Sequence, residues 1–97
     1  LVGYSNAATP AIKNCSAKNV TVNGLAGSAA GIIGMYGDNT GLTVEQCVVE
    51  DATLSATNAN KVGQIVGSVV NASATLKDNT ANGKLVGREH NATVTVE

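Results

Sequence analysis

The chain has 97 residues, room for one domain, with a formal charge of −1 and two aromatic residues, Tyr4 and Tyr36. That balance leaves no electrostatic footprint for nucleic acid or an acidic membrane, and no apolar stretch approaches the roughly 20 residues that cross a bilayer as a helix. With no Phe or Trp, the core must be built from Val, Ile, Leu and Ala, and eleven Gly with one Pro point to many turns and little helix.

The chain opens on Leu1-Val2-Gly3, a marker that returns as Ile32-Ile33-Gly34 and Ile65-Val66-Gly67. The start therefore lies inside a repeat and is read as a piece of something longer, so a missing signal peptide says nothing of the parent's location. Gly3, Gly34 and Gly67 are expected at a corner of each repeat.

Next along the chain comes Ile12-Lys13-Asn14-Cys15, and a shift of 32 aligns it with Val44-Glu45-Gln46-Cys47 and Leu76-Lys77-Asp78-Asn79. Ile12 points inward and Lys13 outward in the strand reading. A bend at Asn14 then lets Cys15 and Ala17 face in, as Cys47 and Val49 do one repeat later. Val20-Thr21-Val22 alternates apolar and polar as a half-buried strand does. Val22, Leu54 and Val86 form a further column, which makes Leu85-Val86-Gly87 the last strand of the third repeat. Thr93 to Val96 alternates again and is expected to begin a fourth.

A unit of about 32 residues cannot bury its inward side chains alone, whereas stacked units bury them in continuous columns and pair backbones about 4.8 Å apart. The predicted fold is therefore all-β, a short right-handed parallel β-helix (β-solenoid). It has about three turns of about 32 residues, roughly 1–31, 32–64 and 65–97, in one domain spanning 1–97. Lys13, Glu45 and Lys77 would stack with alternating sign, and Lys18 would meet Glu50. Opposite charges across neighbouring strands contribute about 0.2–1 kcal/mol each.

The order Leu1-Val2-Gly3, Ile12-Lys13-Asn14-Cys15, Val20-Thr21-Val22-Asn23-Gly24 resembles the GLUG motif, a β-helical repeat of bacterial surface proteins. The second unit, Gly31-Ile32-Ile33-Gly34 with Val44-Glu45-Gln46-Cys47, departs by Gln for Asn. The third has Gln64 before Ile65-Val66-Gly67 and Asn79 where the cysteine stood. The resemblance implies a secreted or cell-surface bacterial protein with a structural or adhesive role, and it carries no catalytic set. The partners it implies are a host or surface glycan or protein.

Each remaining feature has a simple structural explanation. Cys15 and Cys47 lie one repeat apart and are expected as two buried free thiols in a stack, since side chains in register project in parallel. A disulfide is the alternative. His90 stands alone with no CxxC spacing, which argues against a metal site, and it is expected in a surface loop. Asp38, Glu45, Glu50, Asp51, Asp78, Glu89 and Glu97 read as a solvated face, and none forms the convergent pair that glycoside hydrolysis needs. No enzyme activity, catalytic residue or cofactor is expected. Asn14, Asn19, Asn71 and Asn91 each open an N-glycosylation triplet, which arises freely in so Asn- and Thr-rich a repeat.

Tyr4 and Tyr36, 32 apart, are the one candidate ligand platform, the feature behind the alternative reading of a carbohydrate-binding module or a remnant of a polysaccharide-active β-helix enzyme. Tyrosines covering a corner are the simpler account. Exposed strand edges at the two ends add a third reading, end-to-end self-association. Specific function is expected in irregular loops around 4–10, 35–41, 56–63 and 68–74.

Overall fold

Alternating short strands bounded by Gly, Asn and Asp do form throughout a computed structural model that describes residues 1–97. The first four strands are β1 (Val2–Ser5), β2 (Ala11–Lys13), β3 (Ser16–Lys18) and β4 (Thr21–Asn23). They are followed by β5 (Ile33–Gly37), β6 (Leu42–Glu45), β7 (Val48–Glu50) and β8 (Thr53–Ser55). The rest are β9 (Val66–Val70), β10 (Ser73–Lys77), β11 (Thr80–Ala81), β12 (Val86–His90) and β13 (Thr93–Val96). The only helical piece is a 3-10 segment at Ala59–Lys61.

Every pairing between these strands is parallel, in four sheets of order β1-β5-β9-β12, β2-β6-β10-β13, β3-β7-β11 and β4-β8. The protein is thus all-β with parallel sheets. The strands fall into ranks. β1 to β4 form the first and β5 to β8 the second, then β9 to β11 the third and β12 with β13 the fourth. All four strands of the first rank are sheet edges.

The expected columns are observed as strand registers. Ile12 pairs with Val44 and Val44 with Leu76, while Lys13 pairs with Glu45 and Glu45 with Lys77. Their inward members make one core in which Val44, Leu76, Ile33, Ile65, Val66 and Val69 are fully buried. The bend at Asn14, Gln46 and Asp78 is equally clear, with φ of 56°, 54° and 54°. Two further corner columns take the same left-handed backbone, Asn19 with Asp51 and Asp38 with Asn71 and Asn91. Asn and Asp tolerate that conformation best among non-glycine residues. At six of these corners, Asn14, Asn19, Asp38, Gln46, Asn71 and Asp78, the N–H donates to the next rank, as Asn14 to Glu45 O and Asn71 to His90 O. All four glycosylation-type triplets begin at these corners. The pattern is a corner Asn, an inward residue, then an outward Ser or Thr that starts or precedes a strand.

Several expectations are corrected. Gly3, Gly34, Gly67 and Gly87 lie inside strands, not at corners, and none has positive φ. They form a column of close approach. A Cβ on Gly34 would lie 2.6 Å from Gly3 O, and one on Gly87 would lie 2.5 Å from Gly67 O. A Cβ on Gly67 would collide with Gly34 O.

Val86 does not join Val22 and Leu54. It pairs with Val66, 20 residues earlier, whereas Val66 pairs with Ile33 at a distance of 33. Val94 likewise pairs with Ala74, so Thr93 to Val96 is the second strand of the fourth rank and Val86 to His90 the first. Marker identity outweighs even spacing here, because only a glycine at position 87 fits over Gly67. His90 is accordingly the last, exposed residue of a strand and not a loop residue.

The regions expected as loops are irregular in part: β1, β5, β9 and β10 run into 4–10, 35–41 and 68–74, while 56–63 holds no strand, as expected. The long irregular connections are 56–65, which contains the expected 56–63, and 24–32, which the sequence did not mark. They pair with each other at Ala29 and Val62 and pack on the glycine-bearing sheet, where Ser28 Oγ meets the buried Ser68 Oγ at 2.6 Å.

Candidate functional site

Tyr4 and Tyr36 are not brought together. The interval between their markers is 31 residues, so Tyr4 pairs with Met35 while Tyr36 pairs with Ser5. One position of offset along a strand puts a side chain on the opposite face. Tyr4 is 51 % exposed, whereas Tyr36 is wholly buried. The Tyr36 hydroxyl lies 2.7 Å from Ala7 O and 3.0 Å from Thr40 O, sharing its proton between the two carbonyls. Burial raises its pKa above the usual phenol value. Tyr36 therefore ties the connection after β1 to that after β5, helped by Asn39 Nδ2 donating to Asn6 O at 3.0 Å. The two-tyrosine platform does not exist, and only Tyr4 offers a ring to a ligand.

Both cysteines are free thiols in the expected column, Cys15 half-buried and Cys47 buried. Burial raises the Cys47 thiol pKa, so little reactive thiolate forms at neutral pH. The third member of the column is Asn79. Its Oδ1 accepts from Cys47 N and its Nδ2 donates to Val44 O, both at 2.9 Å. Asn79 thus satisfies two backbone groups where the corner interrupts the strand ladder.

The outward charges form two ion pairs, Lys13 with Glu45 at 3.4 Å and Lys18 with Glu50 at 3.7 Å. Both are largely solvated, so their contribution is in the range of about 0–1 kcal/mol. No three His, Cys, Asp or Glu side chains gather where one metal ion would be held.

The one recess, of about 310 Å³, is lined by Val49, Glu50, Asp51, Thr80, Ala81 and Asn82. It lies where the third sheet reaches β11 while the fourth stops at β8. Glu50 and Asp51 are adjacent acidic residues in the sequence, but the hollow beside them depends on the truncated strand stack above it. Its carboxylates differ in role: Glu50 is committed to Lys18, and Asp51 occupies a corner with φ of 52°.

Unpaired strand edges lie on both sides of the described stack. At one end β1 to β4 each lack a partner on one side, and at the other β12 and β13 do. Exposed apolar groups flank both, Leu1, Tyr4 and Leu25 at the first and Val96 at the second. No family model matches the chain, and searches of curated proteins and of solved structures find no match.

Proposed function

We propose that the chain is a short right-handed parallel β-solenoid of the GLUG-like kind, with a non-catalytic structural or adhesive role in a secreted or cell-surface bacterial protein. Successive turns would advance by 31 to 33 residues and the last by 20. The right hand follows from the strong general preference of parallel β connections.

The observation that carries the reading is how the repeated side chains are used. The aliphatic column fills the core, the Asn and Asp columns make corners, the glycine column admits neighbouring backbone, and the charged column pairs across ranks. Each repeated position is accounted for by stacking, which suits a spacer or display element whose partner, a host or surface glycan or protein, meets exposed groups such as Tyr4.

A glycan array combined with a polysaccharide turnover assay tests this. The expected outcome is no turnover and no sugar-specific binding that depends on a paired aromatic platform. Specific binding abolished by Tyr4→Ala would make the chain a carbohydrate-binding module. Release of reducing ends lost in Glu50→Gln or Asp51→Asn would make it the remnant of a polysaccharide-active enzyme.

A further inference from the structure

The sequence holds two Asn-Gly pairs, Asn23-Gly24 and Asn82-Gly83. Such a pair carries its own chemistry. Glycine has no side chain to keep its backbone nitrogen away from the asparagine amide carbon, so the two can close a five-membered ring. Closure needs a free glycine N–H and an asparagine side chain that can rotate. The structure treats the two pairs in opposite ways.

Asn23-Gly24 is held on both counts. Asn23 ends β4 and pairs with Ser55, and Gly24 N donates to Ser55 O at 2.7 Å. The Asn23 side chain is committed as well, since its Oδ1 accepts from Leu25 N at 3.0 Å. A Cβ on Gly24 would lie 2.5 Å from Ser28 O, so the turn around it is closed.

Asn82-Gly83 is held on neither. Both residues are exposed, Gly83 N donates to no backbone acceptor, and the Asn82 side chain makes no hydrogen bond. The cause lies in the interior of the stack. Ala81 pairs with Val49, which would set Gly83 above Asp51 in the corner column that starts at Asn19. Asn19 N donates to Glu50 O in the rank above, whereas Asp51 N finds no such carbonyl. The backbone φ is +135° at Gly83, against 55° at Asn19 and 52° at Asp51. The third rank has left the stack at this corner. It turns instead toward the connection before β9, where Gln64 N donates to Lys84 O at 2.8 Å. This departure belongs to the 20-residue step between Val66 and Val86.

We propose that Asn82 is a site of spontaneous deamidation, with the Gly83 nitrogen as nucleophile and water as the only co-reactant. Gly83 N forms a bond to Asn82 Cγ and loses its proton. The bond from Cγ to Nδ2 breaks, and ammonia leaves carrying that proton. The cyclic imide then takes up one water, which breaks either of its two ring C–N bonds. Breaking the backbone bond at Cα's own carbonyl gives isoaspartate, with the main chain rerouted through Cγ, and breaking the other gives aspartate. Asn82 lines the recess beside Glu50 and Asp51, so either product replaces a neutral amide there with a third carboxylate.

Peptide mapping of the chain after incubation at mildly alkaline pH tests this, with native and urea-denatured samples run in parallel. Both samples are read when the denatured Asn-Gly peptides are half converted. In native protein the Asn82 peptide is expected to gain the mass of OH for NH2 at a rate close to that in urea. The Asn23 peptide is expected to convert at least about tenfold more slowly, the factor set by one backbone hydrogen bond that must first break. The mass gain should vanish from the 82-containing peptide in Asn82→Gln, because glutamine closes only a larger and slower ring. A native Asn82 peptide that stays intact while the denatured one converts overturns the proposal. So does native conversion of Asn23 as fast as Asn82. A gain that persists in Asn82→Gln comes from another residue of that peptide, such as Asn79, and overturns it too.

Discussion

The first and second ranks carry nearly the same residues in the same columns, yet they live in different environments. Ile12 and Cys15 are half-buried, while Val44 and Cys47 one rank up are fully buried. Ala17 and Val49 are both buried, because that column lies deep in the cross-section. Column identity sets which way a side chain points, and the number of neighbouring ranks sets how much water it loses. An edge rank therefore holds core-type residues at partial benefit.

The sharpest way to break this comparison is to truncate one column at two heights. Leu76→Ala should cost about 2–5 kcal/mol of unfolding free energy. Ile12→Ala, with water on one side, should cost less than half as much. Urea denaturation with unchanged slope measures both, and equal losses would mean that rank does not control burial. Asn79→Ala comes next in size. It strips partners from Cys47 N and Val44 O and should cost about 1–3 kcal/mol, the penalty for partly buried polar groups left unmade. A loss below that of an ordinary surface substitution would show that water replaces the amide.

The thiols sharpen the comparison without changing stability at neutral pH. Iodoacetamide should modify Cys15 well before Cys47 in native protein and both equally in denaturant, as read by peptide mass. Equal native rates would contradict the burial difference. The raised pKa values of Cys47 and Tyr36 also set a pH dependence. Above the unfolded thiol pKa of about 8.5, and again near 10 for the phenol, the unfolded chain binds fewer protons than the folded one. Stability should therefore be level below that range and fall as pH rises through it. Flat alkaline melts in wild type, or a slope that Cys47→Ala and Tyr36→Phe leave untouched, would contradict this.

The smallest effect belongs to the outer ladder. Lys18→Ala should cost at most about 1 kcal/mol and lose that cost in high salt. A larger, salt-insensitive loss would point to packing by the lysine stem instead.

What the sequence by itself determined is the set of columns. The spacing of 32 correctly aligned Ile12, Val44 and Leu76 inside, Lys13, Glu45 and Lys77 outside, and the bend at Asn14, Gln46 and Asp78. These were legible because strand alternation and left-handed corner residues leave a mark in residue type. Tyr36 was misplaced because a 31-residue interval shifts the register by one, and in a period of two that reverses the face. Val86 was misplaced because a 20-residue interval breaks the even count that columns assume. The tertiary structure alone decided these, along with the fold-back of 24–32 and 56–65, the recess beside Glu50 and Asp51, and the stepped tail. Such features depend on where a connection is shortened and on which backbones then meet. Backbone meeting backbone leaves no signature in a sequence except a glycine, whose reason is visible only once the neighbouring strand is in place.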